Sequence, residues 1–418
     1  MIRAFAFVIF MLPALAGAEE VAVPPEAGAL LIAIENAQAG DTLRLSENAL
    51  YEGAIEISVP LTIIGNGATV DGQGTGSVIT VTAENVTLSG LTVLGSGSGG
   101  EGLDAGITLS KTAHGAVVEN NRVLLNLIGI DVHGARDSLV ARNYIEGRQD
   151  QRMNDRGNGI YVWNAPGTRV IGNDIRYGRD GVFVNTSRDN EFIGNRFRDL
   201  RFAVHYMYAN NSVVQGNISE GNHLGYAIMF SDNVLIEGNL SLNDRDHGIM
   251  MNYTNKGEVR GNTIRNGGEK CVFIYNSHRN SFSGNSFEGC QIGIHFTAGS
   301  ERNSFSGNSF IGNRTQVKYV GSTWVEWSED GTGNYWSDHT AYDLNNDGIA
   351  DTAYRPNDIM DQVLWSQPAA KSLLGSPAVQ LIRWSQSAFP ALLPGGVIDS
   401  APLMQPNTPQ IPIWEEFE

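Results

Sequence analysis

The chain has 418 residues, 49 of them glycine, and carries 45 acidic against 28 basic side chains, a formal net charge of −17. So acidic a chain argues against a nucleic-acid binder, which needs a basic face for the phosphate backbone. Its length allows two or three ordinary domains or one long repeat array.

The N-terminus, "MIRAFAFVIFMLPALAGAEE", has one arginine, an apolar run over Ala4–Leu15 and small residues at Ala16–Ala18. This predicts a secretory signal peptide over 1–18, too short to span a bilayer comfortably. No other apolar run reaches spanning length, so the mature protein is expected in the periplasm or outside the cell. Residues 19–54 read as an N-terminal cap. There "AGALLIAIENAQAGDTLRLS" (27–46) looks like an amphipathic helix leading into the first strand.

From 55 to 335 the chain repeats. Gly-Asn pairs fall at Gly172-Asn173, Gly194-Asn195, Gly216-Asn217, Gly238-Asn239, Gly261-Asn262, Gly284-Asn285 and Gly307-Asn308, in steps of 22 or 23 residues. The heptapeptide "SFSGNSF" occurs twice, 23 residues apart. Between the pairs lie short alternating runs such as "GVFVN", "AVHYM" and "GIMMN", bounded by Gly, Asn and Ser, which read as strands. No convincing helical period appears. Three short strands in about 22 residues is the period of a right-handed parallel β-helix, an all-β fold of about ten rungs here. Rungs stack about 4.8 Å apart, so equivalent asparagines should form a ladder and glycines should take turn angles closed to a Cβ.

Residues 336–364 form an Asp/Asn-rich region. In "DLNNDGIAD", Asp343, Asn345, Asp347 and Asp351 surround Gly348, a calcium-loop pattern without the usual twelfth-position Glu. From 365 to 418 the pattern changes to one or two helices with proline punctuation and an extended tail, carrying Trp365, Trp384, Phe389 and Trp414. This apolar segment is expected to dock on a partner or wrap the coil. The two cysteines, Cys271 and Cys290, could pair, stay free or bind a soft metal, and the sequence leaves these open.

The repeats also display a face. Aligning the runs on Ile130, Ile160, Val182, Val204, Ile228, Ile249 and Ile294 as inward residues gives an outward row of Asp131, Tyr161, Phe183, His205, Met229, Met250 and His295. The next outward row is His133, Trp163, Asn185, Met207, Ser231, Asn252 and Thr297. This places His205 about 7 Å from Met207 and about 5 Å from Met229. Thioether plus imidazole suits Cu(I). His205, Met207, Met229 and Met250 are the favoured ligands, with His247 and His295 as candidates. Sugar-cleaving β-helices gather carboxylates with Lys or Arg in a groove. Here Asp104, Asp131 and Asp180 lack an obvious partner cluster, so the chain reads as no enzyme, with a polysaccharide lyase or epimerase as the alternative.

"GNYWSDHTAYDLNNDGIADTAYRPND" and the following "SPAVQLIRWSQSAFPALLPGGVIDSAPLM" resemble the NosD family, periplasmic copper-processing proteins of nitrous oxide reductase maturation. The repeats are similar to the carbohydrate-binding and sugar-hydrolase (CASH) class. The resemblance covers essentially the whole mature chain. It implies copper as cargo and an ABC transporter of a cytoplasmic ATPase (NosF) and a permease (NosY). It also implies a lipoprotein copper chaperone (NosL), delivery to nitrous oxide reductase, and a place on the outer face of the inner membrane through a partner. It brings no residue-level copper motif.

Overall fold

In each rung, three short strands separated by bends return the chain to its starting edge one layer up. The computed structural model describes residues 18–99, 103–297, 299–321, 323–389 and 395–414, so the signal-peptide reading over 1–17 lies outside the described residues. A central rung runs Arg169–Ile171, Asp174–Arg176 and Asp180–Asn185. Repetition of this unit builds three parallel sheets, of 13, 13 and 12 strands. The fold is the parallel β-helix that the period predicts.

The coil starts earlier than residue 55. Glu20–Val23 pairs with Thr42–Leu45, which pairs with Thr62–Ile64, so the predicted cap already contributes strands. The cap helix α1 is only Ala29–Asn36. "TLRL" alternates half-buried and buried residues and joins the sheet because its leucines fill the end of the core.

Asn173, Asn195, Asn217 and Asn239 lie in one buried column. Each Nδ2 donates to the Oδ1 of the next at 2.9–3.0 Å, and that same Oδ1 accepts the backbone N–H of the asparagine below. Gly172, Gly194 and Gly216 before them sit at φ of 64°, 62° and 61°, left-handed angles that glycine adopts without cost. Asn217→Leu should therefore cost roughly 1–3 kcal/mol, because Asn195 loses its acceptor inside the core. A denaturant titration measures this, and an unchanged midpoint would deny the ladder its structural role.

Cys271 and Cys290 form a disulfide, S–S 1.99 Å, with both residues buried. This removes them from any ligand set. At the C-terminal end Phe305 stacks on Trp327 at 4.0 Å and Phe310 on Trp336 at 4.2 Å, and Tyr354 meets Trp336 at a tilt, 4.7 Å away, closing the core with rings. Buried Asp399 accepts from Trp336 Nε1 at 2.8 Å and from the Asn334 N–H at 2.7 Å.

The predicted docking segment divides accordingly. Helices α2 (Ile359–Ser366) and α3 (Pro377–Ala388) stand on the outside, joined by an Arg383–Asp358 ion pair at 3.1 Å. The stretch after them turns back into the cap. Gly396–Ile398 pairs with Trp324–Glu326, and the Asn407 N–H reaches Ser309 Oγ at 2.8 Å. The part through Asn407 belongs to the cap, and residues 408–414 run on without regular structure as an extended tail.

Candidate metal centre

The third sheet carries the longest strands, among them Phe202–Met207, Leu224–Met229, His247–Asn252 and Lys270–Tyr275. They begin with an outward residue and then an inward glycine or small residue. At Gly181 a Cβ would come 2.4 Å from Phe197 Cδ1, so bulk is barred there. In-register pairing then sets the outward columns. One runs Asp131, Tyr161, Phe183, His205, Ala227, Met250, Phe273 and His295. The next runs His133, Trp163, Asn185, Met207, Met229, Asn252 and Tyr275.

This corrects the predicted register in one rung. Tyr226, not Ile228, aligns with Val204, so Ala227 lies across from His205, and Met229 across from Met207. Met229 is therefore not the neighbour of His205 within its column, and Ser231 leaves the second row. The cause is a tyrosine inside the core. Tyr226 is buried, with its hydroxyl 2.9 Å from the carbonyls of Asn217 and Leu240. A reading that seeks aliphatics passes it over and takes the next apolar residue. The error is two residues, and side chains alternate with period two, so Met229 still points outward.

The true register gathers the soft groups. Ala227 is the smallest side chain in its column, with His205 on one side and Met250 on the other, about 4.8 Å away in each direction. Met229 lies two residues along the same strand, and Met207 stacks on Met229. Ala227 is nevertheless fully buried, so the longer side chains around it close over its methyl. The row thus has a notch at Ala227, flanked in the register by one imidazole and three thioethers, all three methionines half-buried.

The imidazole is oriented. His205 Nδ1 lies 3.1 Å from Asp180 Oδ2, and His205 is 7% exposed. Arg201 donates to both oxygens of the same carboxylate, Nε to Oδ1 at 2.8 Å and Nη2 to Oδ2 at 2.6 Å. Burial pushes the Asp180 pKa up, but the His205 and Arg201 hydrogen bonds outweigh it and hold the carboxyl below its usual range. An ionised Asp180 only accepts, so Nδ1 carries the proton and Nε2 offers its lone pair. Metal-ligating histidines are commonly held by a carboxylate in this way. Phe183 stacks on the ring at 4.7 Å and Phe202 meets it edge-on at 5.0 Å, which fixes its plane.

Asp180 thus has the partner cluster that the sequence reading missed. Arg201 sits in the column beside Asp180's own, one rung on, where spacing along the chain does not reveal it. Its carboxylate is fully committed to these partners and closed to solvent. Asp131 is different. Burial pushes its pKa up to about 7 and Oδ1 has no hydrogen-bond partner.

The other candidates lie apart from the notch. His295 is two rungs beyond Met250, past Phe273, and burial with the nearby Lys318 and Lys270 charges pushes its pKa down to about 4. His247 starts the strand that carries Met250 and packs at the sheet edge. Asp343, Asn345, Asp347 and Asp351 form an exposed turn of the C-terminal cap. The Gly348 N–H donates to Asp343 Oδ2 at 2.8 Å and the Leu344 N–H to Asp351 Oδ2 at 2.9 Å, so these carboxylates are used by their own loop.

A wall beside the methionines was also missed. Tyr208, Phe230 and Tyr253 stack at 5.2 Å spacing at left-handed turn positions, φ 58°, 50° and 52°. Turn reasoning expects Gly or Asn there, and only the repeat of "YAN", "FSD" and "YTN" one rung apart signals the column.

A family model described as periplasmic copper-binding protein (NosD) matches residues 141–341. Two curated relatives are each called "Probable ABC transporter binding protein NosD". That of Stutzerimonas stutzeri is 41% identical over 376 residues, 86% of each chain, and that of Pseudomonas aeruginosa 42% identical over 369 residues, 85% of this chain and 86% of its own. The chain belongs to the NosD family. The matched span contains His205, Met207, Ala227, Met229 and Met250. Among the described residues no helix is long and apolar enough to cross a membrane. The alginate lyase AlyF-OU02, in its complex with G6, superposes with a TM-score of 0.54 at 14% identity over 73% of this chain and 83% of that one. At that identity the likeness is to the NosD coil alone.

Proposed function

We propose that this NosD chain is a periplasmic, non-enzymatic copper carrier that holds Cu(I) at the Ala227 notch and passes it on for the maturation of nitrous oxide reductase. The observation that carries the reading is the convergence of His205, Met207, Met229 and Met250 on one small residue, with His205 set by Asp180. Soft, neutral ligands on a rigid sheet favour Cu(I) over Mg(II) or Ca(II). The site is shallow, which suits cargo that must leave again. The family resemblance supports the remaining partners: NosL as donor, and the permease NosY with its ATPase NosF as the membrane platform.

The alternative, a lyase or epimerase on the same coil, draws on the fold likeness. Against it, Asp180 is sealed by Arg201 and His205. Incubation with alginate or polygalacturonate separates the two readings. The carrier should produce no unsaturated-sugar absorbance and should bind Cu(I) under reducing conditions. Absorbance growth without Cu(I) binding would reverse the assignment.

Helix α3 is the proposed contact with the permease. Leu381 is 63% and Trp384 64% exposed, one turn apart, with Leu373 and Phe389 exposed nearby. Leu381→Asp with Trp384→Asp should abolish copurification with a co-expressed permease and ATPase while leaving the β-sheet circular dichroism unchanged. Retained copurification would move the docking face elsewhere. Deleting all of 366–418 is a poor test, because Asp399 and Gly396–Ile398 belong to the cap.

A further inference from the structure

We propose that a second metal site, harder in character, lies at the edge of the same sheet. It is formed by Asp246, His247 and Glu269 with His223 beside them, and takes a borderline divalent cation such as Zn(II) or Cu(II). The site follows from the corner column that feeds the third sheet. The Asp246 N–H donates to the His223 carbonyl and the Glu269 N–H to the Asp246 carbonyl, each at 2.9 Å, so the three residues stack rung on rung. Two carboxylates in register repel each other unless a cation lies between them. Ligand atoms of Asp246, His247 and Glu269 all fall within 4.8 Å of one another.

His247 supplies an independent sign. It is 6% exposed, and its Nδ1 is buried without a hydrogen-bond partner. Asp246 Oδ1 is 3.0 Å away but off the line that a hydrogen bond needs. His223 Nε2 stands 3.8 Å from the other Asp246 oxygen. The Lys270 ammonium lies 3.0 Å from Glu269 Oε2 and 3.5 Å from His247 Nε2, a tethered cation against two of the side chains that a metal would use. One imidazole and two carboxylates form a mixed nitrogen and oxygen set, which suits Zn(II) or Cu(II) and not Cu(I). The site shares no ligand with the Ala227 notch once His247 is assigned to it, so the two readings stand or fall separately.

Calorimetric titration of the mature protein with Zn(II), and with Cu(II) under oxidising conditions, tests it. The parent should bind a single equivalent. Asp246→Asn with Glu269→Gln should weaken binding by about tenfold or more. Lys270→Met should tighten it by removing the competing charge, which guards against a variant that merely misfolds. Met207, Met229 and Met250 replaced by leucine should leave it unchanged. A parent that takes up neither ion, a carboxamide pair that binds like the parent, or a Lys270→Met variant no tighter than the parent would each overturn the site. Loss of Cu(I) binding alone in the methionine variant would bear only on the notch.

Discussion

Replacing Met207, Met229 and Met250 together with leucine should lower Cu(I) affinity on the order of a hundredfold or more while leaving the coil folded. Leucine keeps the volume and apolarity of methionine, and such swaps usually cost less than about 1.5 kcal/mol each. What leaves is sulfur, the only soft donor on this face among the described residues. Competition against a Cu(I) chelator gives the affinity and thermal unfolding gives the control. Reductase matured beside the variant should lack copper. Ala227→Phe should act in the same direction by filling the notch without removing a ligand. If the triple variant competes like the parent, the methionines serve packing only.

Asp180→Asn should be the most damaging single change on the face. It leaves the Arg201 guanidinium, 23% exposed, without its carboxylate, an unpaired charge that costs about 3 kcal/mol or more. It also frees His205 to take the other tautomer, so Cu(I) affinity should fall by about tenfold to a hundredfold. The pH dependence separates the two effects. The Asp180 pKa is depressed in the folded state, so its stabilisation is present above the unfolded carboxyl pKa, about 4, and is lost as pH falls through the folded value. The parent should lose stability along that acid limb, and the variant should lack this component. Parallel acid titrations of parent and variant would contradict the assignment.

The coil was legible because its rule is local and repeats. Gly-Asn marks the same bend in rung after rung, and hydrogen-bond geometry turns that repeat into the ladder through Asn173, Asn195 and Asn217. The methionines were legible as outward because parity survives a slip of two. Their grouping was not, since it depends on which residue pairs with which across the sheet, and Tyr226 hid that register by taking an aliphatic's place. Asp180 was seen as a carboxylate on the face, but its tie to Arg201 was not. That contact joins neighbouring columns of successive rungs, a relation that exists only after the chain is wound. The early start of the coil was lost for another reason: a four-residue strand such as Thr42–Leu45 carries too little pattern to stand out beside a helix. The cap at the far end was read only as a segment that docks or wraps the coil, because its order comes from single contacts, Asp399 to Trp336 above all.

That cap has a consequence for the state in which the protein is recovered. Every rung offers the next a row of unpaired amides and carbonyls, and the last rung would offer them to any chain that arrived. A stack of identical, in-register, parallel strands is also the geometry of a growing filament. The rings of Trp327, Trp336 and Tyr354, held by Asp399 and overlaid by Gly396–Ile398, close that terminus as a stopper closes a tube. Molecules that lose Gly396–Ile398 and Asp399 would keep the rings but not the groups that hold and overlay them, so the length distribution of particles in such a truncated sample reports how firmly the last strand is held.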